Sequence, residues 1–175
     1  MQTLVDAYEA IRGFLELGGP ILRLIGIVIL VMWILILERL IYFRTGLKSN
    51  IKAAFDEWEA RKERRSWNAH QVRMLIISRV KMGAEQSLSM IQTLVALCPL
   101  FGLMGTVTGM IKVFEVMAMQ GTSNARSMAA GVSQATVPTM AGMVGALSGV
   151  FFVTILTRTV KRNMALLEDE MTMDH

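Results

Sequence analysis

Residues 98–111 read Cys98-Pro-Leu-Phe-Gly102-Leu-Met-Gly105-Thr106-Val-Thr108-Gly109-Met-Ile111. Residues 131–149 read Gly131-Val-Ser133-Gln134-Ala-Thr136-Val-Pro138-Thr139-Met-Ala-Gly142-Met-Val-Gly145-Ala-Leu-Ser148-Gly149. Neither stretch holds a charged side chain. A membrane span that only anchors can be built of Leu and Ile. These two break their apolar run with Gly, Thr, Ser and Gln, a pattern that implies close helix packing around a polar path.

The chain around them has the composition of a membrane protein. Of its 175 residues, 53% are hydrophobic and only 18% are charged, whereas a soluble domain is about one-quarter charged. Mean hydropathy is +0.47. The net charge of +4 sits in residues flanking apolar spans, so nucleic-acid binding is not expected. The lone cysteine, Cys98, excludes an intrachain disulfide. With neither His70 nor His175 at ligand spacing from it, it reads as a small buried apolar residue. No metal and no cofactor are expected. Asp6 and Glu9 stand where a secretory leader would be basic, so no signal peptide is expected.

The predicted fold is an all-α integral membrane protein. It has three long transmembrane helices extending into the cytoplasm and an N-terminal amphipathic interfacial helix. Residues 1–19 form that periplasmic helix, with Leu4, Tyr8, Ile11 and Leu15 on one face. Packing of this helix on another protein is the equal alternative. Residues 20–43 are the first span, 87–115 the second and 128–157 the third. A cytoplasmic helical segment, 44–86, has a break near Trp67-Asn68. A short periplasmic turn covers 116–127, and 158–175 is a cytoplasmic tail. Lys and Arg concentrate in 44–86 and after the third span, which places the C-terminus in the cytoplasm and the N-terminus in the periplasm.

Gly102, Gly105 and Gly109 share a helical face, and Gly142, Gly145 and Gly149 repeat their offsets. Small residues at this spacing are read as helix packing. The hydroxyls Thr106, Ser133, Thr136, Thr139 and Ser148, with Gln134, are the candidate pore-lining path. A lone hydroxyl usually bonds its own helix and does nothing more. Gln134 needs a partner or water, and Pro138 deprives its carbonyl of the usual donor. No carboxylate lies in the middle of either span. Thr cannot titrate at physiological pH. If protons move here, another chain must supply the group that binds them. No catalytic residues are expected, and the chain is not read as an enzyme.

The run Pro99-Leu-Phe-Gly102-Leu-Met-Gly105-Thr106-Val-Thr-Gly109-Met-Ile, followed by Gly131-Val-Ser-Gln-Ala-Thr-Val-Pro-Thr139-Met-Ala-Gly142, resembles the MotA/TolQ/ExbB proton-channel family. The size, the three spans and the long segment after the first look ExbB-like. The resemblance implies a bacterial inner-membrane homo-oligomer, typically a pentamer, around an ExbD-like single-span protein. That partner carries the titrating Asp. It further implies that the proton motive force, with protons as coupling ion, drives a TonB-like energy transducer for outer-membrane uptake of iron-siderophore or similar cargo. Membrane lipid is the remaining expected partner. The family's pore-facing threonines fall on Thr106 and Thr139. Members often carry Glu where this chain has Gln134, and the later Ile-Pro-Ala step is replaced by Leu147-Ser148-Gly149. These departures mark a divergent, short form. A TolQ-type motor for envelope integrity and a structural membrane scaffold are the alternatives.

Overall fold

The computed structural model describes Asp6, Glu9, Arg12, Gly13 and residues 18–61, 66–120 and 125–171. It contains four long helices: α1 (Gly19–Glu59), α2 (Trp67–Glu85), α3 (Leu88–Gln120) and α4 (Ala125–Glu170). No strand occurs among the described residues. The expected N-terminal amphipathic helix lies largely outside the described residues, as does the turn at 121–124. Three segments are long and apolar enough to cross a membrane: Gly19–Glu59, Trp67–Met119 and Met128–Glu170. At ~1.5 Å per residue, each exceeds a ~30 Å hydrocarbon core, so each must also continue outside it.

The helices outrun the boundaries drawn from hydropathy. α3 continues to Gln120 and α4 begins at Ala125, so the connection is shorter than the expected 116–127. The reason is local. Val-Met-Ala-Met-Gln at 116–120 contains no helix breaker and is rich in good helix formers. Residues 158–170 are helical as the continuation of α4.

Two compact units share these helices along the chain. One comprises Met1–Trp33 and Thr93–Val150, the other Ile34–Gln92 and Phe151–His175. In the first unit α3 and α4 run antiparallel in close contact, and glycines set the distance. A Cβ on Gly142 would stand 2.5 Å from the Cys98 carbonyl oxygen, and one on Gly109 would stand 2.6 Å from Ala135 Cβ. One on Gly105 would stand 2.5 Å from Pro138 Cβ, so the proline ring fills the notch that Gly105 leaves. Gly145 faces Ile29 of α1 instead, and Gly149 meets both Val95 and Met32. Backbones this close gain dispersion contacts that lipid cannot replace.

The second unit has an ordinary amphipathic core. Leu47, Ala54 and Trp58 of α1 pack with Ala69, Ile76, Ile77, Val80 and Ala84 of α2. Leu156, Val160, Met164 and Leu167 of α4 complete it at three- and four-residue spacing. Ser66 caps α2, its hydroxyl accepting from the Ala69 amide at 3.2 Å. Arg73 of α2 donates to the Met171 and Glu168 carbonyls at 2.6 and 2.7 Å. It thereby places a cation on the open carbonyls of the α4 C-terminus.

The break between α2 and α3 falls at Gln86-Ser87, where Ser87 takes φ 66°. Arg39 holds it. The side chain is 3% exposed. It donates to the Gly83 carbonyl and to the Ser87 hydroxyl, each at 3.1 Å, and its guanidinium carbon lies 5.1 Å from the Tyr42 ring centre. Gly83 is in the last turn of α2, where carbonyls lack helical donors and the dipole is negative. That end stands in for a carboxylate as the counter-charge of a buried cation.

Two outcomes follow from these contacts. Gly142→Ala is expected to force the backbones apart and cost about 1–3 kcal/mol. Gly26→Ala, where nothing lies within 4 Å of the added carbon, is expected to be neutral or slightly stabilising. Unfolding in mixed micelles compares the two, and equal costs would show that the Gly142 contact does not limit packing. Arg39→Leu leaves the Gly83 carbonyl unpaired and is expected to cost about 1–3 kcal/mol. Hydrogen exchange should rise first at 83–90, and unchanged exchange there would remove Arg39 from the junction.

Candidate functional site

The polar side chains of α3 and α4 distribute around the Gly seam rather than along one stripe. Thr139 is the one predicted site hydroxyl recorded reaching across to another helix. Its Oγ1 donates to the Gly102 carbonyl at 3.0 Å. In an α-helix that carbonyl also takes the amide of the residue four later, which is Thr106. Thr106 Oγ1 donates in turn to the Leu103 carbonyl at 2.7 Å. Thr106 and Thr139 thus meet at adjacent carbonyls of α3. Both are half-buried. The first such approach exists because Gly102 has no side chain: a Cβ there would lie 3.0 Å from the Thr139 Cα.

Thr136 and Ser133 continue from Thr139 along α4 and are exposed. Thr136 donates to the Ser133 carbonyl at 3.1 Å. Gln134 and Ser148 lie toward α1 instead. Ser148 bonds the Gly145 carbonyl at 2.7 Å and lines an apolar groove of about 560 Å³ with Ile29, Trp33, Val137, Met140 and Val144. Ser148 is nine residues beyond Thr139, and ~100° per residue carries it to the opposite side of the seam. Thr108, not among the candidates, turns back onto the Met104 and Gly105 carbonyls at 3.1 Å each.

Gln134 has an unforeseen neighbour. A Cβ on Gly19, at the start of α1, would stand 3.8 Å from Gln134 Nε2 and 3.9 Å from Lys112 Nζ. An amide and an ammonium thus both lie close to the first residue of α1. The sequence signal for this was present: Lys112 is the first cation after the apolar run of α3. Its meaning depended on where α1 starts, which spacing within α3 does not reveal.

No carboxylate belongs to the seam. Between Gln86 and Glu168 the only acidic side chain is Glu115, which is exposed near the end of α3. The arrangement offers hydroxyl donors and backbone acceptors in a tightly packed apolar wall. It can orient water or accept a hydrogen bond, and it cannot store a proton.

Residues 42–169 match the sequence pattern of the MotA/TolQ/ExbB proton channel family. The chain belongs to that family. Residues shared with individual relatives are fewer. It is 31% identical over 84 residues to a Synechocystis sp. protein described as biopolymer transport protein ExbB-like 3, a match covering 47% of this chain and 40% of that one. It is 33% identical over 78 residues to ExbB-like 1 of the same organism, covering 43% and 31%. The chain thus matches less than half the length of either relative. Family membership makes this an all-α membrane protein of the proton-channel type and an ExbB-like one.

The Lys112 neighbour makes the Gln134 position testable in this family member. Gln134→Glu places a carboxylate beside the start of α1, where the Lys112 ammonium also lies, and a cation within reach would favour the ionised form. Proton-driven activity should acquire an acid-side pH step that the parent lacks. In Gln134→Glu/Lys112→Met that step should move to higher pH, because the stabilising charge is gone. A step that stays put in the double variant would separate the two side chains.

Proposed function

We propose that this chain is an ExbB-like subunit of a proton-driven motor in the bacterial inner membrane, with its C-terminus in the cytoplasm. In this reading copies of the chain form a ring, a pentamer by family resemblance. The ring surrounds the single span of an ExbD-like partner, whose Asp takes up and releases the proton. The proton motive force then acts through a TonB-like transducer on outer-membrane uptake.

The observation that carries this reading is the junction of Thr139 and Thr106 at the Gly102 and Leu103 carbonyls. Hydroxyls at that place can accept a hydrogen bond from a carboxylic acid, and can donate to its conjugate base by releasing the backbone carbonyl, without titrating themselves. The missing carboxylate supports a divided mechanism. One chain supplies a fixed polar wall and the other supplies the group whose charge changes. Thr136 and Ser133 extend the wall along α4. Gln134 and Ser148, on the α1 side, are not needed for it.

Thr139→Val keeps the shape and removes the hydroxyl. A lost neutral hydrogen bond is worth ~1 kcal/mol, and tenfold in rate is ~1.4 kcal/mol. Proton flux or coupled uptake is therefore expected to fall about 5- to 10-fold, with oligomer assembly unchanged and Thr139→Ser largely active. Full activity in Thr139→Val and Thr106→Val together would leave the hydroxyls as packing and favour a scaffold.

A further inference from the structure

Buried cations in folded chains are paired with anions or held by a full set of acceptors. Arg39 is 3% exposed, and its guanidinium is satisfied only in part. Nη1 donates to the Gly83 carbonyl and Nη2 to the Ser87 hydroxyl. Its Nε–H is buried and has no partner. Glu38, beside it in the chain, and Glu85, in the last turn of α2, are both exposed. The ion pair recorded among the described residues joins Arg79 and Glu57 instead.

The same guanidinium reaches the start of a helix. α3 begins at Leu88, and the Ile91 amide donates to the Ser87 carbonyl at 3.0 Å. The amides of Leu88 and Met90, in the opening turn, have no carbonyl one turn back within α3. A capping side chain in extended backbone would normally accept from such amides. Ser66 does this for α2, at φ −78° and ψ 160°. Ser87 takes φ 66°, outside the extended region, and its hydroxyl oxygen accepts from Arg39 instead. That hydroxyl still has its own proton to donate.

Charge does not balance at this break. The α2 C-terminus contributes about −0.5 of a charge and the α3 N-terminus about +0.5. The two ends cancel, which leaves the whole charge of Arg39. We infer that the break between α2 and α3 is a binding site for a small monovalent anion of the chloride type. The ion is held by Arg39 Nε–H, the Ser87 hydroxyl and the Leu88 and Met90 amides. A helix N-terminus favours an anion, and the unpartnered N–H of a buried arginine supplies the fixed charge beside it. Gly83 and Ser87 are half-buried, so solvent reaches the edge of the site. The burial of Arg39 leaves no opening for a lipid headgroup. Bound there, the ion ties α1 to both α2 and α3, and the rigidity of the junction depends on halide. None of these residues belongs to the proposed proton path, so this inference holds or fails independently of it.

The test compares sodium chloride with sodium gluconate at equal ionic strength, using the full chain in zwitterionic micelles. Amide exchange at Leu88 and Met90 should slow about tenfold once chloride reaches ten times its dissociation constant. Bromide should act in the same way. Exchange at 167–171, the end of α4 held by Arg73, should not change. Arg39→Lys keeps the charge but loses Nε–H and the planar fork, and the chloride effect should largely disappear. Ser87→Asp puts a carboxylate in place of the ion, on a residue type that tolerates left-handed backbone. It should exchange slowly without chloride and respond to chloride no further. That variant keeps the test readable if Arg39→Lys does not fold. Equal exchange in chloride and gluconate would overturn the inference and leave water on Nε. So would a chloride effect that persists in Ser87→Asp or in Arg39→Lys.

Discussion

The distance between α3 and α4 is the constraint on which the rest of the first unit depends. In lipid no hydrophobic force draws two apolar helices together, because acyl tails are as apolar as leucine. Attraction must come from contact, and contact needs backbones close enough to touch. Gly102, Gly109 and Gly142 supply that closeness, and Gly105 admits the ring of Pro138. An interior proline costs about 3 kcal/mol in a water-soluble helix. Here its ring is buried in a complementary notch, so part of that cost is offset by packing. The same closeness brings Thr139 within reach of a carbonyl on the next helix. The glycines are thus the condition for the hydrogen bond from Thr139 to the Gly102 carbonyl.

The second unit is held by a different interaction. Its core is an amphipathic helix assembly of the kind water drives, and its ends are tied by arginines. Arg39 closes the α2 C-terminus and Arg73 the α4 C-terminus. Both act on carbonyls rather than carboxylates. A guanidinium can satisfy several acceptors at once and never loses its charge, which suits a helix end better than lysine would.

Much of this was legible in the sequence. The three spans follow from long apolar runs, and the family follows from the small-residue and hydroxyl pattern of residues 98–111 and 131–142. Two features were not legible, each for a physical reason. The Gln86-Ser87 break has no turn signature, since its left-handed backbone falls on a serine instead of a glycine. It depends on Arg39, which reads in sequence as half of an exit marker with Glu38. In the structure Glu38 is exposed and Arg39 is buried. The hydroxyls also read as one stripe because three of them recur at three-residue spacing. Ser148, nine residues after Thr139, keeps that spacing in sequence but falls on the opposite side of the helix, because a helix separates by angle what a sequence lists in line.

The Lys112–Gln134 approach bears on how a divergent member of this family could work. A glutamate in that place would put a carboxylate near the start of α1, where the Lys112 ammonium also lies. Gln134 leaves the cation without that counter-charge and leaves a neutral amide at the same point. On the proposed reading, the fixed charge on the α1 side of the seam is then positive, and the only mobile charge belongs to the partner. Thr106 and Thr139 bond the Leu103 and Gly102 carbonyls, between two and three turns along α3 from Lys112. That separation matters, because a fixed cation beside a proton-binding carboxylate would hold it ionised and resist protonation. On the proposed reading, that distance leaves a partner carboxylate to titrate among the neutral groups at Thr106 and Thr139.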